Sequence, residues 1–257
     1  MAQTIPMPAP ASIADQLRCL QAGLGDAPAD RILAAAAGAF PGRLAIVSSF
    51  GTQSAVLLHL ASRIDAALPV IFLDTGKLFA ETLRYRDLLV QRLGLRDVRS
   101  VPPDAAEVAR QDPLGGLWLS APDACCALRK ARPQARALEG FDIVVTGRKR
   151  YQTTQRARLP VVEETADGRV RLNPLAGWDA AAIEAYRLAH GLPPHPLAEQ
   201  GYPSIGCRHC TDRVAPGEDP RAGRWRGTGK VECGMHPRER PVPTALPGAR
   251  AVPAEGA

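Results

Sequence analysis

Lysine is scarce in this sequence. The 257 residues include four (Lys77, Lys130, Lys149 and Lys230) against 28 arginines, and 32 basic residues against 26 acidic ones leave a formal net charge of +6. Arginine outperforms lysine where phosphate or sulfate is gripped by two parallel hydrogen bonds, so local arginine clusters carry the information. Elsewhere the arginines, like the abundant Ala, Gly and Pro, read as solvated surface and GC-rich coding. No apolar run reaches 18 residues, which excludes a membrane-spanning helix. The opening Met1-Ala2-Gln3-Thr4-Ile5-Pro6 lacks the basic segment and apolar stretch of a secretory signal, which points to a cytoplasmic chain. In that reducing compartment the six cysteines are not expected to form a disulfide framework. At 46% hydrophobic and 23% charged residues, the composition is that of a soluble globular protein and excludes a wholly disordered or fibrous chain. The length suits one α/β domain with a small appendage.

Residues 1–40 read as an N-terminal helical segment. After a Pro/Ala-rich start, Ser12 is placed to cap a helix whose apolar face is Ile13, Leu17 and Leu20, and a second helix is expected over 29–40. Residues 41–205 read as a nucleotide-binding α/β domain. Short apolar runs at 44–47, 70–73, 98–101 and 143–145 suit buried strands. Helices are expected after the first run at 55–60, over 79–93, and over 123–138 with a break near Pro133. Strands alternating with helices predict a parallel, twisted sheet covered by helices on both faces. Residues 206–240 are rich in Gly, Pro and Arg without apolar periodicity. They cannot make their own core and are read as a lid that folds over the main domain. Residues 241–257, rich in Pro, Ala and Gly, are expected to be disordered.

Four cysteines fall in a pattern, Cys125-Cys126 and Cys207-Arg208-His209-Cys210. Two pairs of thiolates suit a tetrahedral zinc or an iron–sulfur cluster, and buried free thiols are the plain alternative. Zinc knuckles space each pair by about two to four residues, whereas a cubane offers separate iron corners to adjacent cysteines. The spacing therefore favours a cluster, with zinc and free thiols left open. His209 reads as an exposed loop residue, and Cys19 as a small hydrophobe on the apolar side of the first helix. Cys233 stands alone in Lys230-Val231-Glu232-Cys233-Gly234-Met235-His236. Lys230 and His236 favour its thiolate, and Glu232 opposes it. Isolated cysteines are mostly inert, but this one lies in a basic segment, where a nucleophile on a swinging arm is the sharper reading.

Three elements could hold an anion. Ser49-Phe50-Gly51-Thr52-Gln53-Ser54 lies between a strand and a helix N-terminus, where backbone N–H groups and the helix dipole favour negative charge. The Gly-Lys-Ser/Thr ending of a Walker loop is absent, and plain turn chemistry is an equal reading. Residues 147–158 hold five basic side chains (Arg148, Lys149, Arg150, Arg156 and Arg158) and no acidic one. They follow the fourth strand, at the end of the sheet where open α/β folds bind ligands. This patch is short for duplex DNA and poor in aromatics for RNA, so no nucleic-acid partner is expected. Arg221, Arg224 and Arg226 precede Cys233. Three separate cationic elements suit a ligand with more than one anionic group.

With these motifs in this order, the chain resembles the assimilatory sulfonucleotide reductases, specifically the iron–sulfur type that reduces adenosine 5′-phosphosulfate. The resemblance covers residues 40–236. It rests on the Ser-x-Gly-x-x-Ser loop at 49–54, Leu73-Asp74-Thr75-Gly76, Cys125-Cys126-x-x-Arg129-Lys130, Thr146-Gly147-Arg148, Ile205-Gly206-Cys207-x-x-Cys210 and Glu232-Cys233-Gly234-Met235-His236. It implies an adenine-nucleotide α-hydrolase-like fold related to ATP pyrophosphatases. It implies that Cys125, Cys126, Cys207 and Cys210 ligate a 4Fe-4S cluster. It further implies that Cys233 attacks the substrate sulfur, leaving S-sulfocysteine and AMP, and that thioredoxin or glutaredoxin then releases sulfite. Lys130, Arg156, Arg221, Arg224 and His236 match positions around the phosphosulfate. Ser49, Gly51, Ser54, Asp74, Thr75, Gly76, Gly147 and Arg148 match the remaining substrate-binding motifs.

Departures from the family pattern are Met235 where Leu is usual, Tyr151 in place of an acidic residue or Phe, and a longer tail after His236. No membrane partner is expected, and homo-oligomer formation is left open. The nearest rival is a reductase of the 3′-phosphorylated nucleotide, a branch that generally lacks the four cysteines. A tRNA-modifying ATP pyrophosphatase would be expected to keep Ser-Gly-Gly-x-Asp-Ser, and Phe50 and Gln53 disfavour it. A zinc-bearing nucleic-acid-binding module is the third alternative.

Overall fold

A computed structural model describes residues 12–24, 27–228, 230, 232 and 233. The first eleven residues, His236 and the tail over 241–257 lie outside them. Among the described residues there are six strands: β1 (Leu44–Val47), β2 (Val70–Leu73), β3 (Val98–Val101), β4 (Ile143–Thr146), β5 (Val162–Glu164) and β6 (Val170–Leu172). They form one sheet in the order β3-β2-β1-β4-β6-β5. Every pairing is parallel except β5 with β6. The helices are α1 (Ile13–Leu24), α2 (Ala29–Ala39), α3 (Ser54–Ile64), α4 (Ala80–Leu93), α5 (Ala105–Gln111), α6 (Leu117–Ser120), α7 (Pro122–Cys126), α8 (Arg132–Ala137) and α9 (Ala180–Ala189). No helix among the described residues is long and apolar enough to cross a membrane.

The central strands are apolar at successive positions because both faces are covered. Leu44, Ile46, Val70, Phe72, Ile143 and Val145 face one side, packed with Leu17 of α1, Leu33 of α2, Leu58 of α3, Leu89 of α4 and Ile183 of α9. Ala45, Ile71, Leu73 and Val144 face the other, against Ala137 and Leu138 at the end of α8. Helices therefore cover both faces, as the alternation of elements predicts. Ser12 does cap α1, its Oγ accepting from Asp15 N at 3.1 Å.

Four features differ from the sequence reading. The sheet has two further strands, β5 and β6, each three residues long and joined through Gly168 at φ 80°; runs that short carry no periodicity. Helices α5, α6 and α9 were not anticipated. The helix expected over 123–138 is α7, a wider π-turn at Ala127–Ala131, and α8. Pro133 has no N–H to give the preceding turn, and the widened turn absorbs that loss. Cys19 is exposed: the buried stripe of α1 runs through Ala14 and Leu17, and the cysteine falls outside it.

Residues 201–228 lie against the domain. Leu78 and Cys207 form one isolated bridge and Thr211 and Arg224 another, while Ile205 packs with Phe79 and Leu197.

His195, in the connection after α9, is fully buried. Its Nδ1 accepts from Leu197 N at 3.2 Å, and its Nε2 lies 3.2 Å from Thr82 Oγ1. The neutral ring with its proton on Nε2 satisfies both contacts. Burial brings its pKa down to about 4, against a smaller opposing pull from Glu81. The unfolded chain binds this proton near pH 6.5, so the contribution of neutral His195 is complete above that pH and is lost as pH falls toward 4. A gap of this size corresponds to roughly 3–4 kcal/mol. Urea midpoints at pH 7.5 and 5 should fall further apart for the parent than for His195→Gln, and equal separations would contradict the assignment.

Candidate active site

The turn between β1 and α3 is shaped by one buried aromatic ring. Phe50 has φ 48°, in the left-handed region that a large side chain rarely enters. It is held there because its ring is fully buried and meets Phe72 edge-on, with centroids 5.3 Å apart at 90°. Ser48 Oγ accepts from Phe50 N at 3.2 Å and Ser54 N donates to Gly51 O at 3.0 Å. With Phe50 turned into the core, Ser49, Gly51, Thr52, Gln53 and Ser54 line a cavity of about 260 Å³ at the strand ends.

The same cavity gathers most of the residues singled out from the sequence. Gly147 and Arg148 reach it from the end of β4, and Arg156 from the following loop. Lys130 comes from the π-turn, and Arg221, Arg224 and Cys233 from the C-terminal segment. Asp74, Thr75 and Gly76 do not line it. They follow β2 and lie beside the cysteines: Thr75 Oγ1 is 3.3 Å from Cys207 Sγ, and Thr75 O accepts from Arg129 Nη1 at 3.0 Å. Asp74 Oδ1 accepts from Gly76 N at 3.1 Å, a local turn contact.

Carboxylates already engage three of the arginines. Arg148 is buried and paired with Glu163, which also accepts from Arg171 Nη1 at 2.9 Å. Arg156 Nη2 donates to Glu232 Oε2 at 2.7 Å, and Arg221 lies 3.8 Å from the same oxygen. Glu232 thereby holds the residue before Cys233 against the cavity wall. Arg224 stacks on Trp225, 4.4 Å from the ring centroid. Burial weakens its protonated form, and Cys233, Cys207 and Cys210 oppose that effect. Gly206 gives the Arg224 guanidinium room, since a Cβ there would collide with it.

Cys125, Cys126, Cys207 and Cys210 line a second, smaller pocket with Lys77, Trp118, Arg129 and Lys130. Burial first, then the neighbouring Cys126 and Cys207, push the Cys125 thiol up to about 11. Arg129 braces this region through a buried ion pair with Asp112 at 2.7 Å. Among the described residues no three Cys, His, Asp or Glu side chains converge as a site for one metal ion. His209 is exposed and stacks on Trp118, 4.7 Å between ring centroids.

Lys130 lines both pockets. Its burial opposes a positive charge, but Cys207, Cys233 and Cys126 more than reverse this, so the ammonium form is favoured. Cys233 is 9% exposed and packs with Cys126 and Trp225. Gln53, Lys149, Tyr151, Gln152, Trp225 and Glu232 also belong to the cavity wall without having been assigned a substrate-binding role from sequence. Lys149 carried the clearest signal, as the one lysine in the basic run after β4.

A mostly parallel sheet whose β1–α3 turn, strand-end arginines and Cys233 thiol line one cavity defines the architecture as an α/β fold with a cationic, thiol-bearing cleft. The chain belongs to the phosphoadenosine phosphosulfate reductase domain family, whose profile matches residues 43–213. The adenosine 5′-phosphosulfate reductase of Mesorhizobium japonicum is 52% identical over 197 residues, covering 77% of each chain. The phosphate complex of the phosphoadenylyl-sulfate reductase from Candida auris is 28% identical with a TM-score of 0.68, covering 80% of this chain and 99% of that one. A Candida glabrata FMN adenylyltransferase mutant shares the fold alone, at 18% identity and a TM-score of 0.55 over 85% of this chain and 72% of that one. The fold is thus adenine-nucleotide α-hydrolase-like, as the resemblance implied.

Proposed function

We propose that this chain reduces adenosine 5′-phosphosulfate to sulfite and AMP in sulfate assimilation, with Cys233 as the nucleophile. The observation that carries the reading is the placement of Cys233 on the same cavity as the β1–α3 turn and the cations Lys130, Arg156, Arg221 and Arg224. The adenosine 5′-phosphosulfate reductase at 52% identity supports the substrate. The four cysteines favour the nucleotide without a 3′-phosphate.

The chemistry needs a thiolate, cationic stabilisation and restricted water. The Cys233 sulfur attacks the sulfur of the phosphosulfate. The bond from that sulfur to the bridging oxygen breaks, and AMP leaves with the electron pair. Lys130, Arg221 and Arg224 offset the charge that develops as the anhydride opens, and Ser49, Gly51 and Ser54 hold the nucleotide beside them. His236 retains the phosphosulfate-binding role implied by the family motif. Residues 206–240 act as the lid that brings the thiol to its target. Cys233 is left as S-sulfocysteine. A dithiol of thioredoxin or glutaredoxin then cleaves the sulfur–sulfur bond, releases sulfite with its electron pair, returns Cys233 as a thiol and becomes a disulfide. A reduced dithiol donor fits a cytoplasmic setting.

Cys125, Cys126, Cys207 and Cys210 are proposed to hold a 4Fe-4S cluster. Two observations support the fit. The donor set consists of four sulfurs around one pocket. The buried Trp225 Nε1–H has no acceptor among the described residues, although Trp225 packs with Cys126 and Cys210. When bound, the cluster supplies a rigid anchor of fixed charge next to Lys130.

Two outcomes test this reading. Without a dithiol donor, the reaction should stop after one turnover, with AMP released and a sulfonate on the peptide containing Cys233. Cys233→Ser should bind nucleotide and yield no sulfite. Peptide mass spectrometry reads the result, and a sulfonate on another cysteine, or sulfite from Cys233→Ser, would overturn the nucleophile assignment. Protein purified without oxygen should contain iron and acid-labile sulfide near four each per chain, by cubane stoichiometry. Replacing any of the four cysteines by Ser should bleach it. Stoichiometric zinc without sulfide would exclude the cluster.

A further inference from the structure

Lys149 is 2% exposed, lines the main cavity and has no carboxylate partner among the described residues. Its Nζ donates to Gln53 Oε1 at 3.0 Å and to Gly147 O at 2.9 Å. Both acceptors are neutral. Two acceptors satisfy the two N–H bonds of an uncharged amine, whereas an ammonium carries a third N–H, which finds no acceptor among the described residues. The surroundings reinforce the contrast. Gln53 also donates from Nε2 to Tyr151 Oη at 2.6 Å, and Gln152 Nε2 donates to Gln53 Oε1 at 3.2 Å. Lys149 thus ties the β1–α3 turn to the loop after β4, at the floor of a cavity that must take up an anion.

We propose that Lys149 is a positioning residue that takes up a proton from solvent when the doubly anionic nucleotide enters, so that ligand binding is coupled to protonation. The proposal rests on the function assigned above and specifies how the site adjusts its charge. Burial, and then the positive charge of Arg156, bring the Lys149 ammonium down to about 7. Other groups at the cavity do not supply this response. Its acids are Asp219 and Glu232; Glu232 is engaged by Arg156, and Asp219 Oδ1 accepts from Arg221 N at 2.7 Å. Burial pushes the Tyr151 hydroxyl up, leaving it neutral. Lys130 is held in its charged form, and Arg148, Arg156, Arg221 and Arg224 remain cations. Among the described residues Cys233 is the remaining titratable group at the cavity, and a serine removes it; His236, assigned above to the phosphosulfate, is removed by His236→Gln in the same background.

Calorimetric titration of the full-length Cys233→Ser, His236→Gln protein with adenosine 5′-phosphosulfate, in buffers of different ionisation enthalpy, measures the protons taken up. Both acidic groups of this nucleotide stay ionised across the range used, so the ligand contributes none. Uptake of about 0.9 proton per nucleotide is expected at pH 8 and about 0.1 at pH 6, because a free pKa of about 7 leaves the amine mostly neutral only at the higher pH. Adding Lys149→Met should abolish the uptake at pH 8. Adding Lys149→Arg, which carries its charge at every pH, should abolish it too while keeping affinity at pH 8 at or above that of the Lys149 protein, a result that a purely structural role would not produce. Binding without uptake, or uptake that persists in Lys149→Met, overturns the proposal. Absence of nucleotide binding at both pH values overturns the proposed function and this inference with it.

Discussion

Among the described residues six basic side chains, Lys130, Arg148, Lys149, Arg156, Arg221 and Arg224, share a cavity with two carboxylates, Asp219 and Glu232. Their mutual repulsion is the constraint on which the rest of the structure depends, because buried charges of one sign are costly unless each is compensated. The compensation differs from residue to residue. Arg148 is taken by Glu163 from the β5–β6 hairpin, and Arg156 by Glu232 from the C-terminal segment. Lys130 draws on the thiols around it, and Arg224 on the Trp225 ring. Lys149 donates to two neutral acceptors, Gln53 and Gly147.

This distribution explains why distant segments meet at the strand ends. The sheet supplies the frame, and Phe50 converts the end of β1 into a turn by burying its own ring. The π-turn ahead of Pro133 puts Cys126 and Lys130 on one short stretch, so that the cysteine pocket and the anion cavity share a wall. The C-terminal segment closes that wall. Its arginines bring positive charge, Glu232 anchors it to Arg156, and Cys233 arrives next to Lys130 and Trp225. In the proposed function the same contacts therefore serve anion binding and thiol chemistry.

Much of this was legible before any coordinates. The strands at 44–47, 70–73 and 98–101 and the turn after the first of them follow from apolar runs and small residues, and the cysteine pairs announce themselves by spacing. What escaped depends on contacts between residues far apart in the chain. The β5–β6 hairpin is too short for a pattern, yet it provides the Glu163 that neutralises Arg148. Asp74, Thr75 and Gly76 follow β2 as expected but lie beside the cysteines, because Thr75 meets Cys207 and Arg129 there. The role of Lys149 lies in its burial against Gln53, 96 positions away, which local composition does not encode. Cys19 shows the reverse error, since an apolar stripe inferred from three residues did not fix where its neighbour would point.

The central claim is that one cavity joins the nucleotide's anions to the Cys233 thiol. The most direct measurement is sulfite release, with thioredoxin present, from adenosine 5′-phosphosulfate and from its 3′-phosphorylated counterpart offered separately. The account predicts thioredoxin-dependent sulfite from the former, in equal amount to AMP, and a much slower reaction with the latter. Sulfite from the 3′-phosphorylated nucleotide alone, or from neither, would contradict it.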